Sequence, residues 1–200
     1  MTRYLIVRHG ETKLNVQNRH QCWVDSPLTE KGIRQVKQTK ETTYKILEDG
    51  KVSKIYSSDL GRVKETVKIL TEGNNTIPVE YSAKLREQKM GDYDGLTTAK
   101  VEKLDPGFTE RRAKDRWGVR PPNGESYTDA LERVKPTLSK IMMNHQRNET
   151  ILIAGHRATG RIIIGYLLGY SKEEILRINL PPGSAFYIQN NKGTLLNPKN

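Results

Sequence analysis

An α/β fold with parallel strands is what this chain of 200 residues predicts, and three observations carry that reading. Short apolar, β-branched runs at residues 4–7, 54–57 and 150–154 read as buried strands. Stretches with helical spacing of apolar residues follow each of them. Two of the strands run directly into a glycine and a histidine, in Arg8-His9-Gly10 and Gly155-His156-Arg157. The ends of strands in α/β sheets are where ligands bind.

Taken in order, the first strand leads into a polar loop over residues 11–26. Thr29 is an N-cap with Glu30 in the first turn, opening a helix to about residue 48. Ile33, Val36 and Leu47 lie near one face of it, and Asp49-Gly50 is its stop. The strand at 54–57 leads to Ser58 or Asp59 as the cap of a helix with Val63, Val67, Ile69 and Leu70 as its apolar positions. Asn74-Asn75 reads as a turn and 77–81 as a short strand. Residues 85–96 form a loop carrying Glu87, Asp92 and Asp94, punctuated by Gly91 and Gly95. Residues 97–116 are polar and charged, and predict one or two short helices broken at Asp105-Pro106-Gly107. Arg111, Arg112, Lys114, Arg116 and Arg120 give this region a basic face.

A long helix follows Ser126, with Leu131, Val134, Leu138, Ile141 and Met142 on one face and a kink near Glu132 imposed by Pro136. Residues 144–148 close it. The strand at 150–154 precedes a helix over 158–168. Ser171 caps a short helix with early acids, residues 179–183 form a loop, and 184–189 is a last core strand. The tail ends in a short hairpin or frays.

Composition narrows the function. There are 34 lysines and arginines against 23 aspartates and glutamates, for a formal net charge of +11 at pH 7, which favours anionic partners. Basic residues are not clustered with aromatics, so no nucleic-acid module is expected. A single cysteine, Cys22, rules out an internal disulfide and reads as a small buried hydrophobe. No basic segment with a long apolar core opens the chain, and the longest apolar stretch, 162–170, is too short to span a bilayer. A cytoplasmic, membrane-free protein is expected, with residues 1–200 as one domain and a cap-like insertion around 97–124.

The residue types at the strand ends point to phosphate chemistry. Arginine offers a planar fork of donors that suits phosphate oxygens. A neutral imidazole can attack phosphorus and form a covalent intermediate. Arg62, in the first turn of a helix directly after a strand, faces a like-charged helix end, a conflict that a bound anion would resolve. Parallel strands would bring His9 and His156 together. Glu87 is a carboxyl group that can protonate a leaving alkoxide.

Leu5-Ile6-Val7-Arg8-His9-Gly10-Glu11-Thr12 with Asn15 resembles the opening of the histidine phosphatase superfamily, also called the phosphoglycerate mutase-like family. Ser57-Ser58-Asp59-Leu60, then Arg62 and Thr66, match its second motif. Leu85-Arg86-Glu87 with Gly91 and Gly95-Leu96 fit its acid-bearing loop, and His156 its second histidine. The resemblance covers residues 5 to about 189. It implies a three-layer α/β/α sandwich with a mostly parallel sheet, and phosphoryl transfer without metal or cofactor. His9 would attack phosphorus, Arg8, Arg62 and His156 would hold the phosphate oxygens, and Glu87 would act as acid and then base. Asn15, Arg19 and Gln21 would reach the phosphate from the polar loop. Cys22 stands where the mutases usually carry glycine, and Arg157 where the family commonly has glycine, adding a positive charge at the mouth. The short segment between Leu96 and Ser126 and the short tail favour a phosphatase over a bisphosphate-primed mutase, although the Trp23 loop, 133–136 and 173–181 look mutase-like. The expected partner is a small phosphorylated substrate. The competing class is a non-catalytic phosphate- or nucleic-acid-binding protein, against which every catalytic position is present. The sequence leaves the oligomeric state open.

Overall fold

The computed structural model describes residues 2–47, 51–74, 76–145 and 148–198. At its centre lies a six-stranded sheet: β1 (Arg3–Arg8), β2 (Lys54–Ser58), β3 (Val79–Ser82), β4 (Thr150–Gly155), β5 (Ala185–Gln189) and β6 (Lys192–Leu196), in the order β3-β2-β4-β1-β5-β6. The pairs β3-β2, β2-β4 and β4-β1 are parallel, whereas β5 runs antiparallel to β1 and β6 to β5. The helices are α1 (Lys13–Val16), α2 (Glu30–Ile46), α3 (Gly61–Thr71), α4 (Thr98–Leu104), α5 (Phe108–Lys114), α6 (Tyr127–Asn144), α7 (Arg157–Leu168) and α8 (Lys172–Arg177). The chain thus adopts the α/β fold with a mostly parallel sheet that its sequence predicts.

Alternation along the strands builds the three layers. On β4, Ile151 and Ile153 face one side and pack with Val134, Leu138 and Ile141 of α6 and Ile163 and Ile164 of α7. Leu152 and Ala154 face the other side, with Val36 of α2 and Val63, Val67 and Leu70 of α3. Every residue of β4 is buried, as a central parallel strand requires. Each large aliphatic side chain so enclosed contributes about 1.5–3 kcal/mol. Above the ends of β1, β2 and β4, α4 and α5 carry a small core of their own, in which Val101 and Phe108 meet Cys22, Met90 and Tyr93. The break at 105–107 is present, with Gly107 at φ +79.

Three local expectations change. The polar loop contains α1, begun by a capping box in which Thr12 Oγ1 accepts from the Asn15 amide and Asn15 Oδ1 accepts from the Thr12 amide. Neither Ser58 nor Asp59 caps α3; its N-cap is Leu60, which makes no side-chain bond. Ser58 is drawn to His156 and Asp59 to Arg86, and Asp25 of the polar loop supplies the missing acceptor to the Gly61 and Arg62 amides. The helix α6 runs from Tyr127 through Pro136 to Asn144, and Met142 lies 46% exposed, off the buried face that Ala130, Val134, Leu138 and Ile141 form. Gly10 serves packing: a Cβ there would collide with the Gly32 carbonyl in the first turn of α2. The tail is a hairpin, turned at Asn190 and Asn191, both in the left-handed region at φ +51 and +58. The Asp49-Gly50 stop, Asn75 of the Asn74-Asn75 turn and residues 146–147 lie outside the described residues.

Candidate active site

The register of the sheet decides where the chemistry gathers. Arg8 pairs with Gly155, so His9 and His156 leave adjacent parallel strands side by side. Their ring centroids are 5.4 Å apart, edge to face, and both rings are buried. His9 Nδ1 lies 2.7 Å from the Gly10 carbonyl oxygen. A carbonyl only accepts, so Nδ1 holds the proton and Nε2 keeps a free lone pair. Burial, reinforced by the charges of Arg62 and Arg8, holds His9 well below the ordinary histidine value of 6.5. The ring is therefore a neutral base at pH 7.

His156 lies beside it, at the end of β4. Its Nδ1 accepts from Arg62 Nη2 at 3.2 Å, which leaves Nε2–H to donate to Ser58 Oγ at 2.9 Å. Both nitrogens are thus engaged inside the protein, and the ring is not part of the cavity wall. Burial first, then Arg62, keeps His156 well below the ordinary histidine value, and so neutral. Arg62 is 1% exposed and further bound to the Cys22 carbonyl at 2.7 Å, the Val24 carbonyl at 3.0 Å and Asp25 Oδ1 at 3.3 Å. Arg8 donates to the Leu180 carbonyl at 2.7 Å and Arg161 to the Ile178 carbonyl at 2.5 Å, so the loop before β5 holds both arginines from behind. Burial, together with Arg157, Arg161 and Arg62 and against the pull of Glu87, brings Arg8 down to about 10.

Glu87 faces this group from across the cavity. Its carboxylate accepts from the Gln88 amide and from the first amides of α7, those of Arg157, Ala158 and Thr159, at 2.9–3.1 Å. The acid-bearing loop is held by Arg133, which donates to the Arg86 and Glu87 carbonyls and pairs with Glu125 at 2.6 Å. Trp23 Nε1 donates to the same Glu87 carbonyl at 2.8 Å. The other two carboxylates of the loop are used elsewhere. Asp94 accepts from the Met90 and Trp23 amides and Asp92 from the Asn123 side chain.

A cavity of about 220 Å³ opens among these residues. Of the residues expected at the site, Arg8, His9, Asn15, Gln21, Cys22, Arg62, Glu87 and Arg157 line it. Arg19 does not: its guanidinium is spent on the Gly95 carbonyl and Gln17. Asn15 commits its oxygen to the α1 capping box, so its NH₂ end is what it can offer the cavity. Cys22 takes the left-handed conformation that favours glycine, at φ +46. Burial, with Asp94 and Glu87 next, pushes its thiol well above its ordinary value, so it stays protonated.

Sequence reasoning missed His20, Gln88, Tyr127 and Arg161, and left Arg112 and Arg116 undistinguished among the basic residues of the cap. The distinguishing signal is pairing: Arg111, Lys114 and Arg120 each have a carboxylate partner, Asp105, Glu110 and Asp129, on the outside. Arg112 and Arg116 line the cavity instead. Around it the Nε groups of Arg8, Arg62, Arg112 and Arg116 are buried without a protein acceptor. Such orphaned donors are costly unless something anionic meets them. Among the described residues no group of three or more His, Cys, Asp or Glu side chains converges as a metal site, and no helix is long and apolar enough to cross a membrane.

A neutral, tautomerically fixed histidine ringed by buried arginines at the strand ends of an α/β sandwich defines a site for anionic, oxygen-rich groups. The model of the histidine phosphatase superfamily (branch 1) matches residues 4–195, and the chain belongs to that family. A 2,3-bisphosphoglycerate-dependent phosphoglycerate mutase of Bartonella tribocorum is 32% identical over 186 residues, covering 90% of this chain and 87% of that protein. The solved structure of Bacillus stearothermophilus YhfR superposes with a TM-score of 0.83 at 30% identity, over 98% of this chain and 95% of that one. The α-ribazole phosphatase of Shigella flexneri shares the fold at TM-score 0.83 and 24% identity, over 98% and 96% of the two chains.

Proposed function

We propose that this protein is a metal-independent phosphatase that hydrolyses a small phosphate monoester through a phosphohistidine on His9. The observation that carries the proposal is the free Nε2 of a neutral His9 among buried arginines whose Nε groups lack protein acceptors. In this reading Nε2 attacks phosphorus in line with the leaving oxygen. Arg8 and Arg62 hold the equatorial oxygens and meet the charge that builds there. The NH₂ of Asn15 and the Gln21 side chain complete the cradle. His156 is a positioning residue: it fixes Arg62 through Nδ1 and packs against the nucleophile's ring. Glu87 gives a proton to the leaving alkoxide, then takes one from the water that cleaves the phosphohistidine. For this it must turn one oxygen away from the α7 amides toward the cavity.

Hydrolysis is favoured over mutase chemistry by the thin cover. A mutase must keep water from the phosphohistidine while its intermediate reorients, and here the cover is two seven-residue helices, α4 and α5. The mutase reading keeps support from the Bartonella tribocorum relative. One assay separates them. Incubated with 3-phosphoglycerate and a trace of bisphosphate primer, the protein should release inorganic phosphate faster than it forms the 2-isomer. Isomerisation outrunning release would make it a mutase. A well-folded protein that does neither, on these and on p-nitrophenyl phosphate, would be a binding protein.

A further inference from the structure

One face of α2 bears on the chain around His9. Gly32, Gln35 and Thr39 are three and four residues apart, so they share that face. Gly32 leaves room for Glu11: a Cβ there would lie 2.1 Å from the Glu11 carbonyl oxygen. Thr39 Oγ1 donates to the Gly183 carbonyl, and the Gly183 amide donates to the His9 carbonyl at 2.9 Å. Gln35 lies between them and packs on Gly183, where a Cβ would come within 2.5 Å of the Gln35 Cβ. Its Oε1 accepts from the Glu11 amide at 3.0 Å. That amide and the Gly10 carbonyl belong to one peptide unit. The Gly10 carbonyl is the group that takes the Nδ1 proton of His9, at 2.7 Å. The peptide is trans and planar, so its N–H and C=O point to opposite sides. Holding the N–H from α2 therefore turns the carbonyl toward the imidazole. Among the described residues no other hydrogen bond reaches either group.

We propose that Gln35 is a positioning residue that sets the tautomer of His9 through the Gly10–Glu11 peptide. It lies off the cavity wall and makes no bond to the imidazole. Its amide oxygen aims the carbonyl, the carbonyl keeps the proton on Nδ1, and Nε2 is left with its lone pair. The chain is cooperative, because a peptide whose N–H is bonded presents a more polarised carbonyl. Without an acceptor opposite the Glu11 amide, the peptide is free to tilt and the bond from Nδ1–H weakens. The form with the proton on Nε2 then gains population, and that form has no lone pair there to attack with. The catalytic use of the tautomer rests on the phosphatase reading of His9, whereas the tautomer itself does not.

Two variants test it. Gln35→Met removes the acceptor at nearly constant shape, and Gln35→Glu restores an oxygen at the same reach. The ¹⁵N shifts of the His9 ring read the tautomer directly. In wild type Nδ1 should be the protonated nitrogen and Nε2 the bare one. In Gln35→Met the two shifts should move toward each other as the tautomers mix, and in Gln35→Glu they should return. In a single turnover of p-nitrophenyl phosphate, Gln35→Met should release nitrophenol about ten- to a hundredfold more slowly, the scale on which hydrogen-bond partners behind a functional histidine act. The Kd of inorganic phosphate should stay near wild type, since Arg8 and Arg62 are untouched. A Gln35 that only packs would lower the urea midpoint and leave the shifts in place. Wild-type shifts in folded Gln35→Met, or Gln35→Glu shifts that stay with those of Gln35→Met, overturn the proposal. Should Gln35→Met not fold, Gln35→Asn, one methylene too short to reach the Glu11 amide, carries the same readouts. If wild type forms no phosphohistidine, the phosphatase reading of His9 fails while the shifts still decide the role of Gln35.

Discussion

His9 is a weak base held neutral by its surroundings, and that state is testable in its own right. Its protonated form is disfavoured by burial and by Arg62 and Arg8. A histidine nucleophile of ordinary pKa would lose activity as pH falls through 6.5. Here kcat/KM, with the ester's own ionisation near 6 divided out, should hold until well below 6.5. An acid limb at 6.5 or above would contradict the burial argument. His9→Ala should abolish turnover with the fold retained, and brief exposure to substrate should leave acid-labile phosphate on His9 and nowhere else. Glu87 is tested through leaving groups. Glu87→Gln should slow hydrolysis of alkyl esters roughly a hundredfold or more, and that of p-nitrophenyl phosphate much less, because a good leaving group needs little proton help in the first step. If Asp92→Asn or Asp94→Asn gave that pattern instead, the assignment would move, although both carboxylates are engaged away from the cavity. At this scale the residues after strands were legible, because chain position alone puts Arg8, His9 and His156 at strand ends. What each side chain does once there was not. His156 turns inward to Arg62 and Ser58, and Arg19 turns to the Gly95 carbonyl, through contacts more than seventy residues apart in the chain.

Among the elements, α3 shows why local reading stops short. Its own sequence offers two N-cap residues, Ser58 and Asp59, and the fold uses neither, since each has a stronger claim on it from another segment. The cap arrives from the polar loop as Asp25, which meets the Gly61 and Arg62 amides and the Arg62 guanidinium at once. The conflict between Arg62 and the helix dipole is thus met by a carboxylate of the protein itself, and only the Nε–H of the guanidinium is left without a protein acceptor. Asp25→Ala should cost about 1–2 kcal/mol of stability, the usual loss for an N-cap, read as a lower midpoint in urea. It should also reduce kcat more than it raises KM, because Arg62 loses a partner that aims it. A stability loss with unchanged kcat would confine Asp25 to capping. By contrast, β4 was fully legible: an unbroken apolar run bounded by polar residues has no alternative to the middle of a parallel sheet.

For the molecule as a whole, two neutral buried histidines tie stability to pH. Both His9 and His156 have folded-state values well below 6.5, so below 6.5 the unfolded chain binds more protons than the folded one. Their contribution is complete above 6.5 and is lost as pH falls below it. The urea midpoint should therefore drop between pH 6.5 and 5, and replacing both histidines by glutamine should flatten that slope. A midpoint that rises over this interval would show that the rings are charged in the folded protein. The layered sandwich was legible from strand and helix periodicity. The cavity's arginine wall was not, because it is assembled from α5, the turn after it, and α7, which no local pattern brings together.

The position of β1 in the sheet has a consequence for how the chain is made. Among the described residues β1 pairs with β4, at residues 150–155, and β5, at residues 185–189, both made long after it. Until residues 150–155 have been synthesised, Leu5, Ile6 and Val7 lack the strands they pair with in the fold. The nascent chain must carry this apolar segment without its neighbours until residues 150–155 have been added. Pairings of such long sequence separation are slow to form and leave partly folded chains open to aggregation. The placing of His9 beside His156 therefore waits until β4 and β5 close on either side of β1.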